Sequence, residues 1–393
     1  MQITFLDTPE SWRQMLPLSY TRPVADVRVG VQKIHEKWTH LLNAEVVYFR
    51  TEDYLKDIYR APSSKSLTIL GNVLPSTLLI DALGDLKENE AIVHEETLIA
   101  GYYEPEEDFE IGNRVVREIG NVQQVNYPWD IFKLNGVQIV HDFEHITANR
   151  ESSILTDPHT KTYGDQIFIE EGAVVKAAVL NAENGPIYIG KDAEIQEGAL
   201  IRGPFALCEH SVVNMGAKIK GDTTIGPFCK VGGEVSNSVI FDYSNKGHEG
   251  FLGNSVLGEW CNLGADTNNS NLKNNYANVK MWDFSTNRFK DTGLQFCGLI
   301  MGDHSKCGIN TMFNTGTTVG VSANIFGDGF PRNIIPSFAW GGASGFTTYQ
   351  TRKAFETAEL VMKRRNKALS EADKAMLSHI FEITSDYRVW DKK

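Results

Sequence analysis

Histidine is the side chain best suited to moving a proton near neutral pH, and His210, His248 and His304 lie in one region of this chain. Three imidazoles meeting at a subunit interface could hold zinc, but no close His pair marks such a site. His248 stands in Lys246-Gly247-His248, with Asn262 and Asn271 downstream. That segment combines a proton acceptor, a cation and amide side chains among glycines. Further cations, Lys273, Lys280, Arg288 and Lys290, accompany Asn268, Asn269, Asn271, Asn274, Asn275 and Asn278 between Asp266 and Gln295. Near the start, Arg22 and Arg28 are close enough in sequence to serve one pocket. The five cysteines, Cys208, Cys229, Cys261, Cys297 and Cys307, are odd in number and lack any Cys-x-x-Cys pair. Neither a cysteine zinc site nor a redox pair is expected, and a reducing cytoplasm fits.

Charge narrows the ligands. With 38 basic and 50 acidic residues the chain carries −12, which disfavours a nucleic-acid binder yet leaves room for local basic pockets that take a phosphorylated small molecule. The opening Met-Gln-Ile-Thr-Phe-Leu-Asp has no basic and apolar regions of a signal peptide, and no apolar stretch reaches the roughly 18 to 20 residues of a membrane helix. A cytoplasmic protein without a membrane partner is expected. At 41% hydrophobic, 10% aromatic and 22% charged residues over 393 positions, packed folds are expected, two or three of them.

The elements that must position these residues fall into three textures. Over 1–150, β-type runs at Ile3 to Leu6, Val46 to Phe49 and Leu67 to Leu70 alternate with helical spacing at Val31, Ile34, Trp38 and Leu41, which predicts an α/β domain with a largely parallel sheet. Over 151–345 a repeat dominates. Ile189, Ile195, Ile201, Leu207, Val213, Ile219, Ile225 and Val231 are spaced by six, and the frame returns at Leu257 and Leu263 and from Met301 through Cys307, Phe313 and Val319 to Ile325. This period predicts a parallel β-helix whose coils share one core. The asparagine-rich stretch breaks the frame and is expected to protrude as a loop. Over 346–393, Phe355, Leu360 and Met362, then Leu377, Ile380 and Phe381, predict a helical tail of two helices, with Ser370 and Asp373 as a capping pair.

Lys246-Gly247-His248, Phe251-Leu252-Gly253, Asn262-Leu263-Gly264-Ala265 and Asn271 together resemble the acetyltransferase part of the GlmU-like family of bifunctional sugar-1-phosphate nucleotidyltransferase/acetyltransferases, in a divergent bacterial form. The α/β-then-repeat order agrees, as do Leu18 to Ala25 and Tyr127 to Phe132. The resemblance implies a left-handed β-helix, a homotrimer, acetyl-CoA as co-substrate, and N-acetylation of an amino-sugar 1-phosphate in amino-sugar nucleotide synthesis. It implies that His248 is the general base, that Lys246 meets the sugar phosphate, that Asn262 and Asn271 hold substrate, and that the Ala265 amide contacts the acetyl carbonyl.

Departures accompany it. Phe251 stands where the family has a tyrosine, and Gly232, with Lys230 nearby, where an arginine is expected; Lys273, Lys280 or Arg288 are the candidate substitutes. In the N-terminal half, Asp7-Thr8-Pro9-Glu10 replaces the Gly-rich phosphate loop, and Asn72 replaces a magnesium-binding carboxylate. Arg22, in Thr21-Arg22-Pro23, is the remaining substrate-binding candidate, and Asp130 the candidate replacement ligand. Magnesium and a nucleoside triphosphate are implied by the family for this half, with its nucleotidyl transfer left open. Two alternatives stand beside the enzyme reading: a degenerate nucleotide-sugar or acyl-CoA binding and regulatory protein, and a carbonic-anhydrase-like hexapeptide enzyme.

Overall fold

The computed structural model describes residues 1–391. They form two compact units, Met1–Val27 with Gln32–Tyr127, and Arg28–Val31 with the chain from Pro128 onward.

In the first unit the strands Gln2–Leu6, Val46–Arg50 and Ser66–Leu70 form where β-type runs were expected. Ser66–Leu70 is buried at every position, as expected of a strand covered on both faces. Helix Ile34–Leu41 buries Ile34 and Trp38, and the Trp38 indole donates to the Val73 carbonyl at 2.8 Å. The sheet runs Val46–Arg50, Gln2–Leu6, Ser66–Leu70, Thr97–Tyr103, Glu90–His94, Val115–Glu118. It is mixed rather than largely parallel, because Thr97–Tyr103 is antiparallel to both neighbours. Glu95 and Glu96, at φ +47° and +68°, make the tight turn that folds one strand back on the other.

The second unit is a three-faced parallel β-helix. All eight aliphatics of the unbroken run are at most 2% exposed. Ile189, Leu207 and Ile225 fall on one face, Ile195, Val213 and Val231 on the next, and Ile201 and Ile219 on the third. Three six-residue steps thus make one coil, and stacking puts like positions above one another. One corner shows this plainly. Asp192, His210, Phe228, Tyr243, Trp260, His304, Ser322 and Phe338 all adopt φ between +53° and +60°. Left-handed backbone costs a non-glycine residue of the order of 1 kcal/mol, and stacked rings offset it: Phe228 on Tyr243 at 4.9 Å, Tyr243 on Trp260 at 4.1 Å.

The asparagine-rich stretch is only partly loop. Asn268–Asn269 is still a rung, paired with Met312–Phe313, and the buried Asn269 amide bonds both the N–H and the carbonyl of Gly253. Beyond it, Lys280–Asp283 and Arg288–Asp291 form a hairpin.

By its contacts the stretch from Pro128 groups with the β-helix unit. Helix Pro128–Ile146 belongs to the β-helix unit, where Asn135 Nδ2 donates to the Asp222 carbonyl (2.9 Å) and Thr224 Oγ1 (3.1 Å), and Gly136 leaves room for Asp222. The tail also clusters with this unit rather than standing apart. Its helices are Thr351–Lys363 and Glu371–Ile383, the second opened by the Ser370/Asp373 capping box. The first buries Ala354, Ala358 and Met362 and leaves Leu360 exposed, since small residues let it lie close to the coil beneath.

Candidate active site

A cleft of about 830 Å³ lies within the second unit. Its floor is the β-helix face carrying the strands Lys230–Val231, Asn245–Lys246, Asn262–Leu263 and Lys306–Cys307, in that spatial order. Alternation along each strand sends one residue inward and the next outward. Lys230, Asn245, Asn262 and Lys306 are in register and all line the cleft. One end of the face is the aromatic corner with Tyr243 and Trp260; the other is the glycine-containing corner with Gly247-His248 and Gly264-Ala265.

His248, Asn262 and Ala265 are brought together. Since Asn245 pairs with Asn262, His248 and Ala265 occupy equivalent positions on consecutive coils, a strand spacing of about 5 Å apart. The exposed His248 ring makes no hydrogen bond to another described residue. The Ala265 carbonyl accepts from Asn310 N–H at 2.8 Å, while its own N–H has no partner among the described residues. A proton acceptor and a free amide donor therefore face one cleft.

Lys246 and Asn271 are placed elsewhere. Lys246 occupies an inward position of the repeat frame, where burial pushes its ammonium down to about 8. Its Nζ donates to the Gly232 carbonyl (2.9 Å) and the His248 carbonyl (2.6 Å). It ties the corner that carries His248 instead of standing open as a phosphate cation. Asn271 Nδ2 donates to Asn254 Oδ1 at 2.8 Å, off the cleft. Lys273, Lys280 and Arg288 do not line it either, and Lys273 Nζ donates to the Asn278 carbonyl at 2.8 Å.

Among the described residues the cations lining the cleft are Lys230, Lys306, Arg364 and Arg365, and no carboxylate lines it. Burial pushes Lys306 down to about 8, with its Nζ donating to the His304 carbonyl at 2.8 Å. Arg364 and Arg365 follow the tail helix, and Arg365 Nη2 reaches Asn245 Oδ1 at 3.5 Å. Sequence reasoning missed both arginines. The signal was present as Lys363-Arg364-Arg365-Asn366-Lys367, a basic run in an acidic chain.

The three histidines do not meet within the chain. His210 stacks on Phe228 at 4.7 Å and His304 lies parallel to Trp260 at 6.3 Å, both at the aromatic corner, with His248 at the opposite end of its face. Among the described residues no group of three His, Cys, Asp or Glu side chains could hold a metal.

In the first unit Asp7 and Asn72 follow the adjacent parallel strands Gln2–Leu6 and Ser66–Leu70, at the carboxyl edge where open α/β sheets bind ligands. Asp7 accepts from Val24 N–H (3.1 Å) and Thr51 Oγ1 (2.7 Å), and its Oδ1 lies against Gly71, where a Cβ would come within 2.9 Å of it. Burial nonetheless pushes its carboxyl up to about 7. Asn72 Nδ2 donates to Asn126 Oδ1 at 2.8 Å. A carboxyl whose ionisation burial opposes and which already holds two donors, beside an amide, is a poor donor set for magnesium. Arg22 is buried against Asp26 at 3.7 Å rather than open to a substrate. Burial opposes ionisation of Asp26, but Lys33, His35 and Arg22 hold it well below the usual carboxylate range. Arg28 and Asp130 belong to the second unit, where Arg28 pairs with Asp242 at 3.1 Å.

Asp7 yields a pH prediction. Its folded pKa is raised above the unfolded value, so its contribution to stability is full in acid and is lost as pH rises toward and through 7. The thermal midpoint of the first unit is expected to fall between pH 5 and pH 8, and Asp7→Asn to flatten that fall. An unchanged pH slope in the variant would assign the effect to another group.

Among the described residues no helix is long and apolar enough to cross a membrane. Residues 3–151 match the family model described as sugar nucleotidyl transferase. The chain is similar to the bifunctional sugar-1-phosphate nucleotidylyltransferase/acetyltransferase of Sulfurisphaera tokodaii, 28% identical over 144 residues, covering 36% of this chain and 35% of that protein. It is similar to the bifunctional protein GlmU of Synechococcus elongatus, 23% identical over 223 residues, covering 54% of this chain and 45% of that one. The chain thus spans between a third and half of the length of these relatives. An Arabidopsis UDP-N-acetylglucosamine acyltransferase of known structure matches 59% of this chain and 93% of its own at 12% identity and a TM-score of 0.24.

Proposed function

We propose that the β-helix unit transfers an acetyl group from acetyl-CoA to the amine of an amino-sugar 1-phosphate, in a cytoplasmic homotrimer serving amino-sugar nucleotide synthesis. The observation that supports this most is His248 and the unpartnered Ala265 amide at equivalent positions of consecutive coils, in a cleft lined by cations and no carboxylate. His248 takes a proton as the sugar nitrogen attacks the thioester carbonyl. The Ala265 N–H donates to the oxygen on which charge develops, and Asn262 orients the acceptor. The C–N bond forms, the C–S bond breaks, and the proton held by His248 passes to the departing thiolate. Lys246 acts by fixing the His248 carbonyl.

The test is thiol release from acetyl-CoA over a panel of amino-sugar phosphates. Release with one member supports the reading. Binding of CoA without release by any member would replace it with the binding-protein alternative.

The first unit carries the sugar nucleotidyl transferase match, but Asp7 and Asn72 at its carboxyl edge do not fit a magnesium site. Magnesium-dependent pyrophosphate release from UTP or dTTP with a sugar 1-phosphate is expected to be slow or absent. Robust release, abolished by Arg22→Ala, would show that Asp7 and Asn72 sustain chemistry by another arrangement.

A further inference from the structure

We propose that Arg364 and Arg365 form a phosphate clamp that closes the cleft from the tail side, opposite Lys230 and Lys306. This rests on the reading above only in placing the reactive end of the bound molecule at His248. The chain is strongly acidic, yet the cleft gathers these four cations and no Asp or Glu. Like charges gathered on one cleft repel one another, so an arrangement of this kind is stabilised by a bound anion. Neither arginine makes an ion pair among the described residues. Arg364 is exposed, and Arg365 Nη2 reaches Asn245 Oδ1 at 3.5 Å.

A bland account is available: cations at a helix C-terminus interact with the dipole of Thr351–Lys363. Lys363, in the last turn, already meets that need, and the dipole gives no reason for two guanidinium groups to line the same cleft as Lys306. Planar forked donors suit phosphate oxygens. Lys230 and Lys306 are three strand steps apart, roughly 14 Å, which matches an extended ligand with its phosphate held at mid-face and its reactive end at the His248 corner.

Two molecules carry such a phosphate, the CoA donor and the sugar-phosphate acceptor, and separate titrations distinguish them. CoA, dephospho-CoA and glucosamine 1-phosphate are titrated calorimetrically into the full chain, into Arg364→Ala/Arg365→Ala and into the corresponding double lysine variant, with circular dichroism as the check on folding. The alanine pair is expected to weaken at least one ligand by roughly 10- to 100-fold, with partial recovery in the lysine pair. Weakening of CoA but not dephospho-CoA puts the 3′-phosphate in the clamp; weakening of both CoA forms puts the diphosphate there; weakening of glucosamine 1-phosphate puts the acceptor there. Equal affinities in folded variants, or no binding of any of the three by the parent chain, overturn the clamp. Arginine-dependent binding without acetyl transfer leaves the clamp standing and removes the acetyltransferase reading, whereas transfer with unaltered affinities does the reverse.

Discussion

Acetyl transfer by the His248→Ala variant is expected to fall by roughly 100- to 10,000-fold, the usual worth of a positioned general base. An ammonium nucleophile must lose a proton before it attacks. His248 lines the cleft beside Ala265, and Lys306, on the next coil, has its Nζ engaged by the His304 carbonyl. Because His248 is exposed and hydrogen-bonded to no described side chain, its removal leaves no buried polar group unpaired. The variant should therefore melt within a few degrees of the parent. The measurement is kcat/KM for acetyl-CoA at saturating acceptor across pH 6 to 9. A folded variant with an unchanged rate would exclude His248 from the chemistry.

Phe313→Ala is expected to cost about 3 to 5 kcal/mol in the stability of the β-helix unit. The ring is fully buried within the continuous core, and its strand Met312–Phe313 pairs with Asn268–Asn269, the last rung before the hairpin insertion. A solenoid coil contacts only its neighbours, so the cavity opens where the coil above has already been interrupted and cannot collapse onto it. Met312→Ala is the control: Met312 is 37% exposed on the same strand, and its loss should cost well under 1 kcal/mol. Urea unfolding followed by far-UV circular dichroism reads both. Equal midpoints for the two variants would mean that the six-residue frame does not carry the core at this coil.

The six-residue spacing made the β-helix legible because a repeat constrains every coil in the same way. From Ile189 to Val231, burial could be assigned residue by residue before any coordinate was known. The first unit was less legible. Alternating strand and helix signals located its first three strands and one helix, but the antiparallel return at Glu95-Glu96 rests on backbone conformations that glutamate seldom adopts. The attachment of helix Pro128–Ile146 was hidden for a different reason. The side chains that attach helix Pro128–Ile146 to the β-helix, Asn135 above all, find their partners almost ninety residues away.

The candidate site divides in the same manner. His248, Asn262 and Ala265 were named through the family resemblance of their motifs, and consecutive coils place His248 and Ala265 side by side. Lys246 could not be assigned correctly from spacing, since whether an ammonium points into the coil or out of it depends on its place in the inward frame. Arg364 and Arg365 were beyond reach for the opposite reason: the tail has no repeat, and only its docking on the coils brings those guanidinium groups over Asn245. Sequence alone determined the periodic core and the groups that periodicity aligns. Tertiary structure decided which charges face the cleft: coil packing turns Lys246 inward onto nearby carbonyls, and docking of the tail brings Arg365 to Asn245, 120 residues away.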